Sequence, residues 1–108
     1  MKPIRVGLLG IGTVGGGTFN VLRRNQEEIR RRAGRAIEVV MVADLDTERA
    51  RQITGGAVEV VSDARRVVTD PTIDIVIELI GGDGIARELV MSAIANNKHV
   101  VKIGRAHV

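Results

Sequence analysis

The sequence predicts an α/β fold, a doubly wound parallel sheet with strand order 3-2-1-4-5. Two observations carry this. Short β-branched runs alternate with helix-like segments along the whole chain, and parallel neighbours need a crossover that is usually a helix. A glycine-rich turn also stands between the first apolar run and the first helical segment. The chain has 108 residues, 44% hydrophobic and 27% charged, which is one globular domain with enough apolar residues for a core.

Residues 4–9 (IRVGLL) form a compact apolar run that ends at Gly10 and read as a buried strand. A long helix is expected from 13 to 33, with Val14, Thr18, Leu22, Ile29 and Ala33 on one face and Gly34 as its stop. Residues 37–43 (IEVVMVA) are the second strand. A short helix follows over 46–53, with Asp46 as N-cap and Glu48 in the first turn. Residues 58–61 are a brief third strand and 63–68 another short helix, ended by Asp70-Pro71. The fourth strand is 73–79 (IDIVIEL), broken by Gly81-Gly82. An amphipathic helix over 84–97 should turn Ile85, Leu89, Ala93 and Ile94 inward, and 98–101 (KHVV) start a fifth strand.

Several function classes are excluded. With no cysteine there is no disulfide scaffold and no thiolate metal site. No apolar stretch approaches the ~20 residues that span a bilayer, and MKPIRVGLLG is too short for a secretory signal. The net charge is only +3, with one Phe and neither Tyr nor Trp, a poor composition for stacking bases. Arg23, Arg24, Arg30, Arg31, Arg32 and Arg35 are interleaved with Glu27 and Glu28 at helical spacing, the pattern of a solvated, self-paired face. His99 and His107 have no acid or cysteine at ligand spacing, so no metal is expected.

GLLGIGTVG is the most informative segment. Gly10, Gly12 and Gly15 make a G-x-G-x-x-G pattern directly after a strand and at the start of a helix, the context that gives this motif its meaning. Gly10 allows the tight turn, Gly12 lets the backbone approach a pyrophosphate, and Gly15 lets the helix pack closely on the sheet. The free N–H groups and dipole of the helix start would hold the phosphate charge. This is the Rossmann-like arrangement for a nicotinamide dinucleotide. Gly16 and Gly17 are additional, and close packing elsewhere is the expected reason for them.

Such a site needs an acid at the end of the second strand for the adenosine ribose. Asp44 is the candidate, and Asp46 the competitor, whose simpler role is the helix cap. An acid there repels a 2′-phosphate, and Leu45 offers no guanidinium to receive one, so NAD is expected over NADP. At the end of the fourth strand, Ile80, Gly81 and Gly82 should line the crevice beside the nicotinamide ribose. Glu78, a carboxylate inside an apolar strand, points either to the open end of that crevice or to solvent.

The runs VGLLGIGTVGGG, NQEEIRRRAGRAIEVV, DIVIELIGG and NNKHVV closely resemble the N-terminal domain of homoserine dehydrogenase, over residues 4–101. The resemblance implies a cytoplasmic oxidoreductase that interconverts homoserine and aspartate semialdehyde with NAD or NADP, in threonine, methionine and isoleucine biosynthesis. It implies that the backbone at Thr13 and Val14 holds the cofactor and that Gly81 lies near the nicotinamide. With Gly10, Ile11, Gly12, Gly15, Asp44 and Ile80 these are the candidate cofactor contacts; no catalytic residue is assigned. The family continues NKHVV with T-A-N-K, whereas this chain reads KIGRAHV, with Arg105 in the place of that lysine. The codons AAG ATC GGA AGA GCA CAC GTC encode this heptapeptide and match a short-read sequencing adapter. Residues 1–101 are therefore read as the dinucleotide-binding domain and 102–108 as a non-native tail. The substrate domain and the homodimer interface of the family are expected outside this chain. Another semialdehyde dehydrogenase, or an NAD(H)-sensing regulatory domain, would share the same nucleotide fold.

Overall fold

The computed structural model describes residues 2–11, 13–81 and 84–103, and for 13–15 the backbone only. Strands β1 (Ile4–Leu9), β2 (Ile37–Ala43), β3 (Glu59–Val61), β4 (Ile75–Glu78) and β5 (His99–Lys102) form one sheet in the order β3-β2-β1-β4-β5. All four pairings are parallel. The crossovers hold α1 (Thr13–Arg24), α2 (Gln26–Ala33), α3 (Thr47–Thr54), α4 (Arg65–Thr69) and α5 (Ile85–Ala95).

Both faces of the central strands are covered, which is why those strands are apolar almost throughout, whereas β5 is mostly exposed. On one face Val6, Leu8, Val42 and Ile77 pack with Phe19 of α1 and Ala50 of α3. On the other, Leu9, Met41 and Val76 pack with Val67 and Val68 of α4 and with Leu89 and Ala93 of α5. Gly7 faces this second layer: a Cβ there would lie 2.6 Å from Val67 Cγ1 and 3.0 Å from Ile73 Cδ1, so only glycine lets α4 sit this close to β1. Between Val6 and Gly7 the β1–β2 register shifts, and Val40 is passed over.

The expected long helix is two helices. Asn25 stands between them, and its side-chain amide donates to the Val21 carbonyl (2.8 Å), which its own backbone N–H also uses (3.1 Å). That local competition bends the chain without ending its hydrogen bonding, since Ile29 N–H still reaches the Asn25 carbonyl. After the bend α2 has no fully buried residue, and Ala33, expected on the buried face, is exposed. Phe19 takes the core position instead. The charged face pairs with itself as expected, Arg30 with Glu27 and both Arg31 and Arg32 with Glu28. Gly34 caps α2 in the left-handed conformation.

In α5 the buried stripe is Ala86, Leu89 and Ala93. Ile85 and Ile94, expected inward, are each 55% exposed. Small residues at 86 and 93 let the helix approach the sheet, and that contact rotates the two isoleucines outward. Lys98 precedes β5 rather than starting it. Its ammonium is buried and donates to the carbonyls of Asp70 and Ile73. Of the residues read as a tail, Lys102 is the last of β5 and pairs with Glu78, and Ile103 N–H donates to the Glu78 carbonyl. Residues 104–108 lie outside the described residues.

The Asp70 carboxyl is held below the ordinary range, chiefly by the Thr72 hydroxyl (2.7 Å) and N–H (2.8 Å), with the charges of Lys98 and Arg5 adding to them. Its folded value is depressed, so its contribution to stability is complete above its unfolded value near ~4 and is lost as pH falls through the lower folded one. Replacing Thr72 with Val should move the Asp70 titration upward in a carboxyl NMR titration. In urea unfolding, Gly7→Ala should destabilise by about 1–3 kcal/mol through overpacking. Gly17 has no heavy atom within 4 Å of a Cβ position, so Gly17→Ala in α1 should stabilise by up to about 1 kcal/mol.

Candidate functional site

The strand order reverses between β1 and β4, and their carboxyl ends lie side by side, with Leu79 N–H donating to the Leu9 carbonyl. Ligands of doubly wound sheets bind at such a switch point. Three turns converge there, one after each of β1, β2 and β4.

The turn after β1 depends on Gly10, which has φ +83°, a conformation costly for any residue with a Cβ. A Cβ there would also lie 3.1 Å from Ile80 Cγ1. Gly10 N–H donates to the Ala43 carbonyl (2.7 Å), which continues the β1–β2 pairing by one step. Ile11 turns its side chain into the α1-side core, where it is 2% exposed. α1 then starts at Thr13 with no acid in its first turn and with Arg23 and Arg24 in its last. Its start therefore carries the positive end of the helix dipole with no acid of its own first turn against it. Gly12 and the side chains of Thr13, Val14 and Gly15 lie outside what is described. A Cβ at Gly16 would meet Ile53 of α3 at ordinary contact distance (3.5 Å), whereas one at Gly17 would meet nothing within 4 Å.

At the end of β2, Asp44 N–H donates to the Val61 carbonyl. Its carboxylate reaches back to the first turn: Oδ2 accepts from Ile11 N–H and Oδ1 from Asp46 N–H, both at 2.9 Å. Asp46 is the cap of α3, accepting from Arg49 N–H at 3.1 Å. Asp46 thus takes the helix-cap role weighed for it, while Asp44 lies against the turn after β1.

At the end of β4, Glu78 faces neither solvent nor an open crevice; it is 1% exposed. Its Oε1 accepts from Gly81 N–H at 2.9 Å. Gly81, at φ +76°, is bent where only glycine is relaxed. The strand carboxylate thus folds back to hold its own turn, a use that its place in an apolar run did not reveal. Ile80 lies between the turns, against Gly10. Gly82 lies outside the described residues.

Together these elements enclose a pocket of about 280 Å³ with a mostly apolar lining that includes Gly10, Asp44, Leu45, Ser62, Ile80 and Ile85. Leu45 is 94% exposed at its rim. Ser62 and Ile85 were not among the residues expected here, and Ile85 was placed in the core by helical periodicity alone. A larger groove of about 660 Å³ runs past Phe19, Arg23 and Arg35. It lies at the starts of β2 and β3, away from the strand carboxyl ends. Among the described residues no group of three His, Asp or Glu side chains could hold a metal ion.

The family described as homoserine dehydrogenase, NAD binding domain, matches residues 10–106. The chain belongs to this family. A homoserine dehydrogenase of Methylobacillus glycogenes is 65% identical over 98% of this chain and 26% of its own length. That of Pseudomonas aeruginosa is 53% identical over 98% of the chain and 24% of its length. The crystal structure of the Thiobacillus denitrificans homoserine dehydrogenase superposes with a TM-score of 0.89 at 62% identity, covering 94% of this chain and 23% of that one. The homoserine dehydrogenase NAD-binding domain described here therefore spans about a quarter of the length of these relatives. Its family assignment supports a nicotinamide dinucleotide as ligand. No helix among the described residues is long and apolar enough to cross a membrane.

The Glu78 contact is testable by amide exchange. Glu78→Met should speed exchange at Gly81 N–H by roughly tenfold, because the turn loses its acceptor, whereas Glu78→Gln retains an oxygen in that place and should change it little.

Proposed function

We propose that this domain binds and orients NAD, in preference to NADP, as the cofactor-binding part of a homoserine dehydrogenase. The observation that carries the reading is the turn at Gly10. It is bent at φ +83° beside Ile80, at the switch point of the sheet, and leads into a helix start free of acids. The diphosphate would rest on that turn and on the first N–H groups of α1, around Thr13 and Val14. The adenosine ribose would face Asp44. The adenine would fill the pocket beneath Leu45 and Ile85, covering apolar surface that otherwise stands in water. The nicotinamide end would run towards Ile80 and Gly81.

When bound, the nicotinamide supplies hydride exchange between homoserine and aspartate semialdehyde; this domain contributes position and electrostatics. The carboxylate of Asp44, with Asp46 two residues on, disfavours a 2′-phosphate by like-charge repulsion. Substrate and the proton-transfer groups would be held outside this domain, in a full-length enzyme expected to work as a cytoplasmic homodimer.

Calorimetric titration of the chain with NAD+ and NADP+ tests the reading. Binding of both, several-fold tighter for NAD+, is expected, with no homoserine oxidation by the chain alone. Absence of heat with either cofactor, or turnover by the isolated domain, would contradict it.

A further inference from the structure

We propose that Asp44 is a positioning residue for the phosphate-binding turn, and that it acts on the cofactor through the backbone of Ile11 as well as through the ribose. This rests on the dinucleotide reading above and deepens it.

An acid whose sole task was to receive ribose hydroxyls would present its oxygens to the crevice. Here both are engaged by main chain from two different turns. Oδ2 takes Ile11 N–H, a link across 33 residues of sequence, and Oδ1 takes Asp46 N–H. Hydrogen bonds to an ionised acceptor are stronger than those between neutral groups. This one is partly shielded, since Asp44 is half-buried and Ile11 almost wholly so.

The geometry on either side gives the bond its purpose. Gly10 N–H is turned to the Ala43 carbonyl and Ile11 N–H to the next residue's side chain. Two successive donors past β1 are thereby drawn to the end of β2. The turn is tied down at both, immediately before the helix start on which the diphosphate is proposed to rest. A Gly10 at positive φ is free to adopt other conformations; the clasp on Ile11 selects one of them before ligand arrives, which lowers the ordering cost of binding.

The test uses two ligands, NAD+ and its analogue lacking both hydroxyls of the adenosine ribose, titrated against wild type, Asp44→Asn and Asp44→Ala. Amide exchange at Ile11 is followed by NMR, with Leu8 and Val42 in the strands as references. Asp44→Ala should weaken the analogue, which reports the turn alone, by roughly tenfold and NAD+ by more, and speed exchange at Ile11 while Leu8 and Val42 keep their protection. Asp44→Asn, with one acceptor oxygen left, should fall between. Weakening of NAD+ alone, with the analogue unaffected, would overturn the positioning role and leave the ribose role standing. Loss of protection at Leu8 and Val42 in both variants would also overturn it, as a general folding effect. A wild-type chain that binds neither ligand would overturn the dinucleotide reading and this inference together.

Discussion

The backbone must leave β1 with no side chain at position 10. A Cβ there would be strained at φ +83° and would press on Ile80 from 3.1 Å. With glycine, the turns after β1 and β4 come into contact, and the crevice between them exists. The remaining features of the site follow from that approach. Gly10 N–H reaches Ala43, Ile11 N–H reaches Asp44, and α1 begins with its donors uncommitted to any acid of its own first turn.

Charge is distributed around this turn in a consistent way. The carboxylates nearest the crevice, Asp44 and Glu78, are held by main-chain N–H groups. Neither lies in the opening turn of α1, where it would oppose an anionic ligand. The abundant arginines of α2 are matched with glutamates one turn earlier. These three arginines thus satisfy their own helix, the self-paired face expected from their spacing.

Much of this was legible in the sequence. The alternation of strand and helix gave the sheet order, because parallel pairing leaves few ways to connect such elements. The Gly10 turn was legible because both its neighbours, a buried strand and a helix, could be recognised. What escaped depended on contacts between distant segments or on small local competitions. Asn25 bends a helix through a bond to Val21 that periodicity does not encode. Ile85 and Ile94 fit a helical stripe, but the alanines at 86 and 93 decide which face meets the sheet. Glu78 looked anomalous because its partner, Gly81 N–H, is produced by the turn itself. Lys98 looked like a strand residue, and its two carbonyl partners lie 25 and 28 residues upstream.

That lysine has a mechanical consequence. Its ammonium is pinned to the loop before β4, at the end of the sheet opposite the crevice, just where β5 begins. A one-residue slip of β5 along β4 would tear the ammonium from both oxygens and turn every side chain of the strand to the other face. The peg thus fixes the sliding coordinate of an edge strand, and with it the alignment of the rim at the far end, some four residues away along the same strand.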